Sequence, residues 1–195
     1  MLLMTSIMLD AEVEDAKVYA EAELAEDRKV RPILSLYRAK NAYMDIFFPL
    51  TETHEQRKQT FIDSAWISSQ FEPTTIRFVL DSSVTQINTA GESIVRDALL
   101  VIFGTDQGCY GYALPYSRHP EINTVVWEKD DEVNKKDILD AHPDLIRFVA
   151  SQFFFKGGST SWSSYLKYLQ HLGFEINFRH PYTDKNIGYG LKTTI

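Results

Sequence analysis

Residues 97–104 read DALLVIFG, and apolar residues occupy both parities of this run. Successive side chains of a strand point to opposite faces, so Leu99, Val101 and Phe103 would face one way and Leu100 and Ile102 the other. A strand with one wet face alternates; one apolar on both parities is covered on both. Whatever this chain folds into, it has to supply a layer on each side of a sheet.

The neighbouring runs say how that sheet is connected. Thr105-Asp106-Gln107-Gly108 suits a tight turn. CYGYALPY (109–116) follows, with Tyr110, Tyr112, Leu114 and Tyr116 on one face and the small Cys109, Gly111 and Ala113 on the other. INTVVWEK (122–129) alternates, as does TTIRFVLDSS (74–83), where Ile76, Phe78 and Leu80 oppose Arg77, Val79 and Asp81. The polar stretch 83–95, with Gly91, reads as a loop or a ragged excursion. Upstream, RPILSLYR (31–38) and AYMDIFFP (42–49) form a hairpin across Ala39-Lys40-Asn41. Short connections of this kind make antiparallel sheets.

Helical patterns bracket the strands. Leu9, Val13, Ala16, Ala20 and Leu24 make one narrow stripe over residues 5–29, with charges on the other faces. That helix lies across its own domain or across a second subunit. THEQ (53–56) is a capping box opening a helix that ends near Phe71, before Pro73. HPDLIRFVASQFFF starts with Pro143 in the first turn and is apolar nearly all round, which predicts deep burial. Trp162, Tyr165, Leu166, Leu169 and Leu172 then form an amphipathic stripe stopped by Gly173. Between these two helices lies KGGSTS (156–161), which resembles a phosphate loop. A Walker loop needs its lysine after the second glycine, and here Lys156 precedes both, so the segment reads as the hinge of a helical hairpin. FEINFRH (174–180) is a candidate final strand.

The expected fold is therefore α+β: a single domain with a largely antiparallel sheet of five to six strands. An N-terminal acidic helix (about 5–29) precedes the sheet region (about 31–129), with one helix between strands 2 and 3. A helical hairpin (about 137–172) and a tail (174–195) complete it. The length of 195 residues and a composition 44% hydrophobic and 24% charged fit one globular domain with a real core.

Charge and cysteine usage narrow the function. The net charge is −7. Residues 1–30 carry eight acids (Asp10, Glu12, Glu14, Asp15, Glu21, Glu23, Glu26, Asp27) against Lys17, Arg28 and Lys29. An acidic surface repels phosphate backbones, so general nucleic-acid binding is not expected. The single cysteine, Cys109, excludes an intrachain disulfide and multi-cysteine zinc sites, and suits a reducing compartment. MLLMTSIML lacks the basic start of a signal peptide, and no apolar run reaches membrane-spanning length. The expectation is a soluble, cytoplasmic protein with no membrane partner.

No catalytic motif stands out. The sequence has no G-x-S-x-G, C-x-x-C or HExxH and no dinucleotide-type glycine loop after a strand, and no cofactor is expected. His54, His119, His142, His171 and His180 show no metal-ligand spacing, and three of them precede proline. EKDDEVNKKD (128–137) fails as a calcium loop: position 6 is Lys135 rather than glycine and position 12 is Ala141 rather than glutamate. No metal site is expected. Asp81-Ser82-Ser83 at one strand end and Arg96-Asp97 at the start of another could converge on a site. Cys109 reads as a packing residue, with a nucleophile paired to a distant histidine as the sharper option. The tyrosine face of 109–116 is core if covered and a binding surface if open.

RPILSLYRAKNAYMDIFF, IRFVLDSS and RDALLVIFGTDQG, taken in that order, resemble segments of small uncharacterised proteins from bacteriophage and environmental sequence sets. The resemblance covers the middle of the chain and rests on strand patterns, so it implies a small accessory protein of viral or microbial origin, working in the host cytoplasm if phage-encoded. It carries over no functional residue. Two readings follow. The first is a non-catalytic binding or accessory protein, with a protein partner or self-association through Tyr110, Tyr112 and Tyr116. The second is a small hydrolase-like enzyme whose site is assembled from Asp81, Arg96, Asp106, Cys109 and His119.

Overall fold

A computed structural model describes residues 6–25, 29–38, 42–50, 53–87, 91–119, 124–128, 143–155 and 162–179. In chain order the elements are α1 (Ser6–Ala25), β1 (Ile33–Arg38), β2 (Ala42–Phe47), α2 (His54–Phe71), β3 (Thr75–Ile87), β4 (Ser93–Thr105) and β5 (Gly108–His119). They continue as β6 (Thr124–Trp127), α3 (Pro143–Phe154), α4 (Trp162–His171) and β7 (Glu175–Arg179). The strands form one seven-stranded sheet in the order β6-β5-β4-β3-β1-β2-β7, and every neighbouring pair is antiparallel. The α+β class and antiparallel sheet are as expected. The strand count is higher than five to six because FEINFR joins the sheet: Ile176 pairs with Ile46 and is buried together with Phe174.

β4 lies near the middle and is buried from Ala98 to Gly104. Leu100 and Ile102 enter one core with Leu34, Leu36, Met44, Ile46, Ile76 and Phe78, roofed by α2, α3 and α4. Leu99, Val101 and Phe103 enter a second core with Val79, Leu114 and Tyr116, roofed by α1. The two parities of DALLVIFG thus serve two separate layers. Each fully buried aliphatic side chain contributes roughly 1.5–3 kcal/mol, so neither layer is dispensable.

α1 settles onto its own sheet through Val13, Ala16, Ala20 and Leu24, all buried. The two alanines let the helix approach closely. A polar network then fixes its register. The Arg77 guanidinium, on β3, donates to Glu12 Oε2 at 2.7 Å and Asp15 Oδ2 at 2.8 Å on α1. It also donates to Ser35 Oγ at 3.3 Å, and Ser35 donates to the buried Asp45 at 2.6 Å. Tyr37 adds a hydrogen bond from its hydroxyl to Glu12 Oε2 at 2.9 Å. Burial pushes the Tyr37 hydroxyl far above the ordinary tyrosine range. At the β6 edge of the same face, Trp127 Nε1 donates to Glu21 Oε1 at 2.6 Å, and the Lys17 ammonium sits 5.9 Å from the Trp127 ring.

On the opposite face α2 begins with the expected capping box: Gln56 N donates to Thr53 Oγ1 at 3.2 Å and Thr53 N to Gln56 Oε1 at 3.1 Å. It ends where Pro73 requires, with Glu72 in the left-handed region at φ 51°. α3 lies against α2 and crosses β4 and β5. It crosses them at their small residues: a Cβ added at Gly104 would collide with Val149 Cγ1. A buried amide ties the helices together, Gln152 accepting from Ser68 Oγ at 2.6 Å. α4 reaches α2 as well, through the Trp66 and Tyr165 rings, whose centroids are 3.6 Å apart. Both helices of the expected C-terminal pair therefore also contact α2. Yet α3 is not buried all round: Leu145, Phe148, Val149 and Gln152 face inward, while Ile146 and Phe154 are exposed. α4 stops in a Schellman motif, with Gly173 at φ +89° and its neighbour's N–H, Phe174, reaching Leu169 O at 3.0 Å.

The acidic run beyond Glu128, the KGGSTS hinge, the 39–41 turn and the tail beyond Arg179 lie outside the described residues. No helix among the described residues is long and apolar enough to cross a membrane.

Candidate functional site

β3 and β4 are each thirteen residues long, twice the length of β1. They stay paired out to Ile87↔Ser93, so the polar stretch read as a loop is instead the end of a two-stranded ribbon. Gly91, at φ +80°, lies in the turn. Two ladder ends, each beside a proline, mark where this ribbon leaves the sheet. The β1–β3 ladder ends at Ile33↔Val79, directly after Pro32. The β4–β5 ladder ends at Ala98↔Pro115, beyond which β5 pairs with β6. Each proline turns its carbonyl to its other neighbour, Pro32 O accepting from Phe48 N and Pro115 O from Glu128 N, both at 2.9 Å, so β1 stays with β2 and β5 stays with β6 where the ribbon departs. Among the described residues no strand pairs with the outer edge of β3 from Leu80 onward.

A cleft of about 430 Å³ opens where β1 and β3 separate. The lead-in to β1 (Lys29, Val30, Pro32) and the exit from β2 (Pro49, Leu50) form one wall, and Leu80 to Ser83 form the other. Behind them Phe48, Phe61 and Phe78 make a ring cluster with centroids 5.6 to 6.3 Å apart. Leu50, on the lip, is 55% exposed.

The two faces of the β3 edge differ in chemistry. Leu80 and Val84 look toward the ring cluster and its core. Asp81 and Ser83 point to the α1 side, where Ser83 pairs with Asp97 across the ribbon. Asp81 accepts a hydrogen bond from the Tyr116 hydroxyl at 2.7 Å and lies 3.9 Å from the Arg118 guanidinium. Burial raises its carboxyl above the ordinary aspartate range and Asp97 adds to the rise, while Tyr116 and Arg118 oppose it. The same burial pushes the Tyr116 hydroxyl up to about 12.

The sequence candidates fall in several places. Asp81, Tyr116 and Asp97 meet at the ribbon's foot. Arg96 is nearby in sequence but forms an ion pair with Glu128, past the end of β6. Asp106 stands at the far β4–β5 turn, exposed. Ten residues of extended chain separate it from Arg96, roughly 30 Å at about 3.3 Å per residue. Cys109 and His119 occupy opposite ends of β5, a similar distance apart. Cys109 packs against the α3-side core, and burial raises its thiol, which disfavours the thiolate a nucleophile needs. His119 is exposed. The tyrosine face is largely covered: Tyr116 is buried, and Tyr110 and Tyr112 pack around Phe103 in the α1-side core. Among the described residues no group of three or more His, Cys, Asp or Glu is placed to hold a metal ion.

Sequence reading missed the cleft itself. Pro32 before ILSLYR and Pro115 inside CYGYALPY turn out to stand beside the two ladder ends that flank the ribbon, but neither signals a cleft by itself. Comparison of the chain with protein-family models, with curated proteins and with solved structures finds no match.

Proposed function

We propose that this chain is a non-catalytic binding protein, an accessory factor whose working surface is the cleft and the free β3 edge at the foot of the ribbon. The observation that carries this reading is the dispersal of the reactive side chains. Asp81 is engaged by Tyr116 and Arg118, Arg96 by Glu128, and Cys109 and His119 sit at opposite ends of one strand. A nucleophile and its base need hydrogen-bond reach of each other. Among the described residues no histidine or cysteine lines the cleft. An apolar recess with a few polar groups at its mouth is suited to holding a ligand or a partner segment. The resemblance of the middle of the chain to small bacteriophage and environmental proteins supports an accessory role, in a host cytoplasm if phage-encoded, and the lone Cys109 supports a reducing compartment.

Chromogenic carboxylic esters, phosphate esters and peptide anilides test this reading. The expected result is no turnover above buffer, for the wild type and for Asp81→Asn and Cys109→Ser alike. Turnover by the wild type that either substitution removes would overturn it in favour of a hydrolase.

A further inference from the structure

We infer that the free β3 edge is a strand-addition site for an extended peptide in which apolar and basic residues alternate. This rests on the binding reading above and names the class of partner. Three features point the same way.

The first is backbone. From Leu80 to Ile87 the outer edge of β3 has no strand partner among the described residues, while its inner edge is held by β4 through Ile87↔Ser93. Alternate residues of such an edge direct N–H and C=O groups outward, a ready template for one more strand. The second is space. The cleft of about 430 Å³ is the gap beside that edge, between β3 and the Lys29–Pro32 lead-in, so an added strand would occupy the place β1 vacates at Pro32. The third is side-chain chemistry. A strand in that place sends successive residues to opposite faces. One set would meet Leu80, Leu50 and the Phe61 side of the recess. The other would meet the α1-side face, where Asp81 and Asp97 lie with Ser83 between them. Both carboxylates line the cleft, with Lys29 on its opposite wall; Asp81 is already held by Tyr116 and Arg118, so the exposed Asp97 is the carboxylate left to meet a basic residue, in a chain of net charge −7. Complementary charge selects lysine or arginine opposite Asp97. Main-chain hydrogen bonds would supply affinity, and the alternate pockets specificity.

Two capped, fluorescein-labelled peptides of identical composition provide the test. One alternates valine and arginine, and the other places the valines in one block and the arginines in the next. Both are titrated into the full chain by fluorescence anisotropy. The alternating peptide is expected to bind about tenfold or more tightly than the block peptide. Asp97→Lys, at an exposed position, should weaken it about tenfold, since like charge at a binding mouth is repulsive. Methylating the alternate backbone nitrogens of the peptide should abolish binding, and Thr85→Pro on the ribbon gives a second check from the protein side. Equal affinity for the two peptides, or indifference to Asp97→Lys and to N-methylation, would overturn strand addition and leave the broader binding reading standing. Sedimentation of the free chain covers the other occupant. A stable dimer dispersed by Thr85→Pro would assign the edge to a second copy and overturn the peptide proposal.

Discussion

Arg77→Ala should cost this fold about 3 kcal/mol. The side chain is only 7% exposed, and its guanidinium meets Glu12 and Asp15 of α1 and Ser35 of β1. Breaking a buried ion pair by removing one partner typically costs about 3–5 kcal/mol, because the other charge is stranded. Two features place this case at the low end. Glu12 is a quarter exposed and keeps the Tyr37 hydroxyl, and Asp15 is 68% exposed, so water recovers most of what Asp15 loses. For a chain of this size roughly 3 kcal/mol lowers Tm by about 6–12 °C. Urea unfolding followed by far-UV circular dichroism measures the loss, and tryptophan emission adds a local readout, because Trp127 touches Glu21 of α1. The double variant Arg77→Met with Glu12→Leu should recover much of the loss, since an apolar pair can replace a buried ionic one at little net cost. A loss below about 1 kcal/mol for Arg77→Ala, or additive effects in the cycle, would refute the claim that this network docks α1.

Other consequences can be checked independently. Gly104→Ala should destabilise by roughly 1–3 kcal/mol, because its Cβ would collide with Val149 Cγ1, and Val149→Ala in the same chain should lessen the added cost. Burial raises the Asp81 carboxyl above its unfolded value, so the proton is held more tightly in the fold. Stability from that group is full below the ordinary aspartate range and is lost as pH rises through the raised folded value. Asp81→Asn should therefore gain on the wild type between acid and neutral pH in a denaturation series, and a gain that appears only on acidification would contradict this. Tyr110 and Tyr116 are pushed up to about 12 by burial, and Tyr19, Tyr37 and Tyr165 higher still. Their neutral forms favour the fold below the ordinary tyrosine value, and that advantage is lost as pH climbs through the raised values. Absorbance at the tyrosinate band should gain the contribution of these five tyrosines only together with alkaline unfolding.

What could be read from the sequence was local. DALLVIFG announced two covered faces because burial on both sides leaves no polar parity. The Val13-Ala16-Ala20-Leu24 stripe, the Thr53–Gln56 box and the Gly173 stop each lie within one or two helical turns, and each has its expected role. What could not be read depends on contacts far apart in the chain. Ser82, Ser83, Thr85 and Gln86 have the composition of a loop, yet they are strand because Ser93 to Ala98 pair with them. Nothing near Arg77 foretells that its partners lie sixty-odd residues upstream on an amphipathic helix. Ile146 and Phe154 remain outside because α3 has α2 on one flank and the sheet beneath it, and nothing among the described residues covers its far side. The cleft was hidden for the same reason. It is a gap between two strands, and a gap is specified by where both of them part.

Amide hydrogen exchange on the full chain, with and without the alternating valine–arginine peptide, tests the central claim most directly. The expected result is new protection on alternate residues of Leu80–Ile87, with the β4 side of the ribbon already protected in the free chain through its pairing. Protection that appears elsewhere, or no change at Leu80–Ile87 when the peptide is bound, would contradict the assignment of this edge as the binding surface.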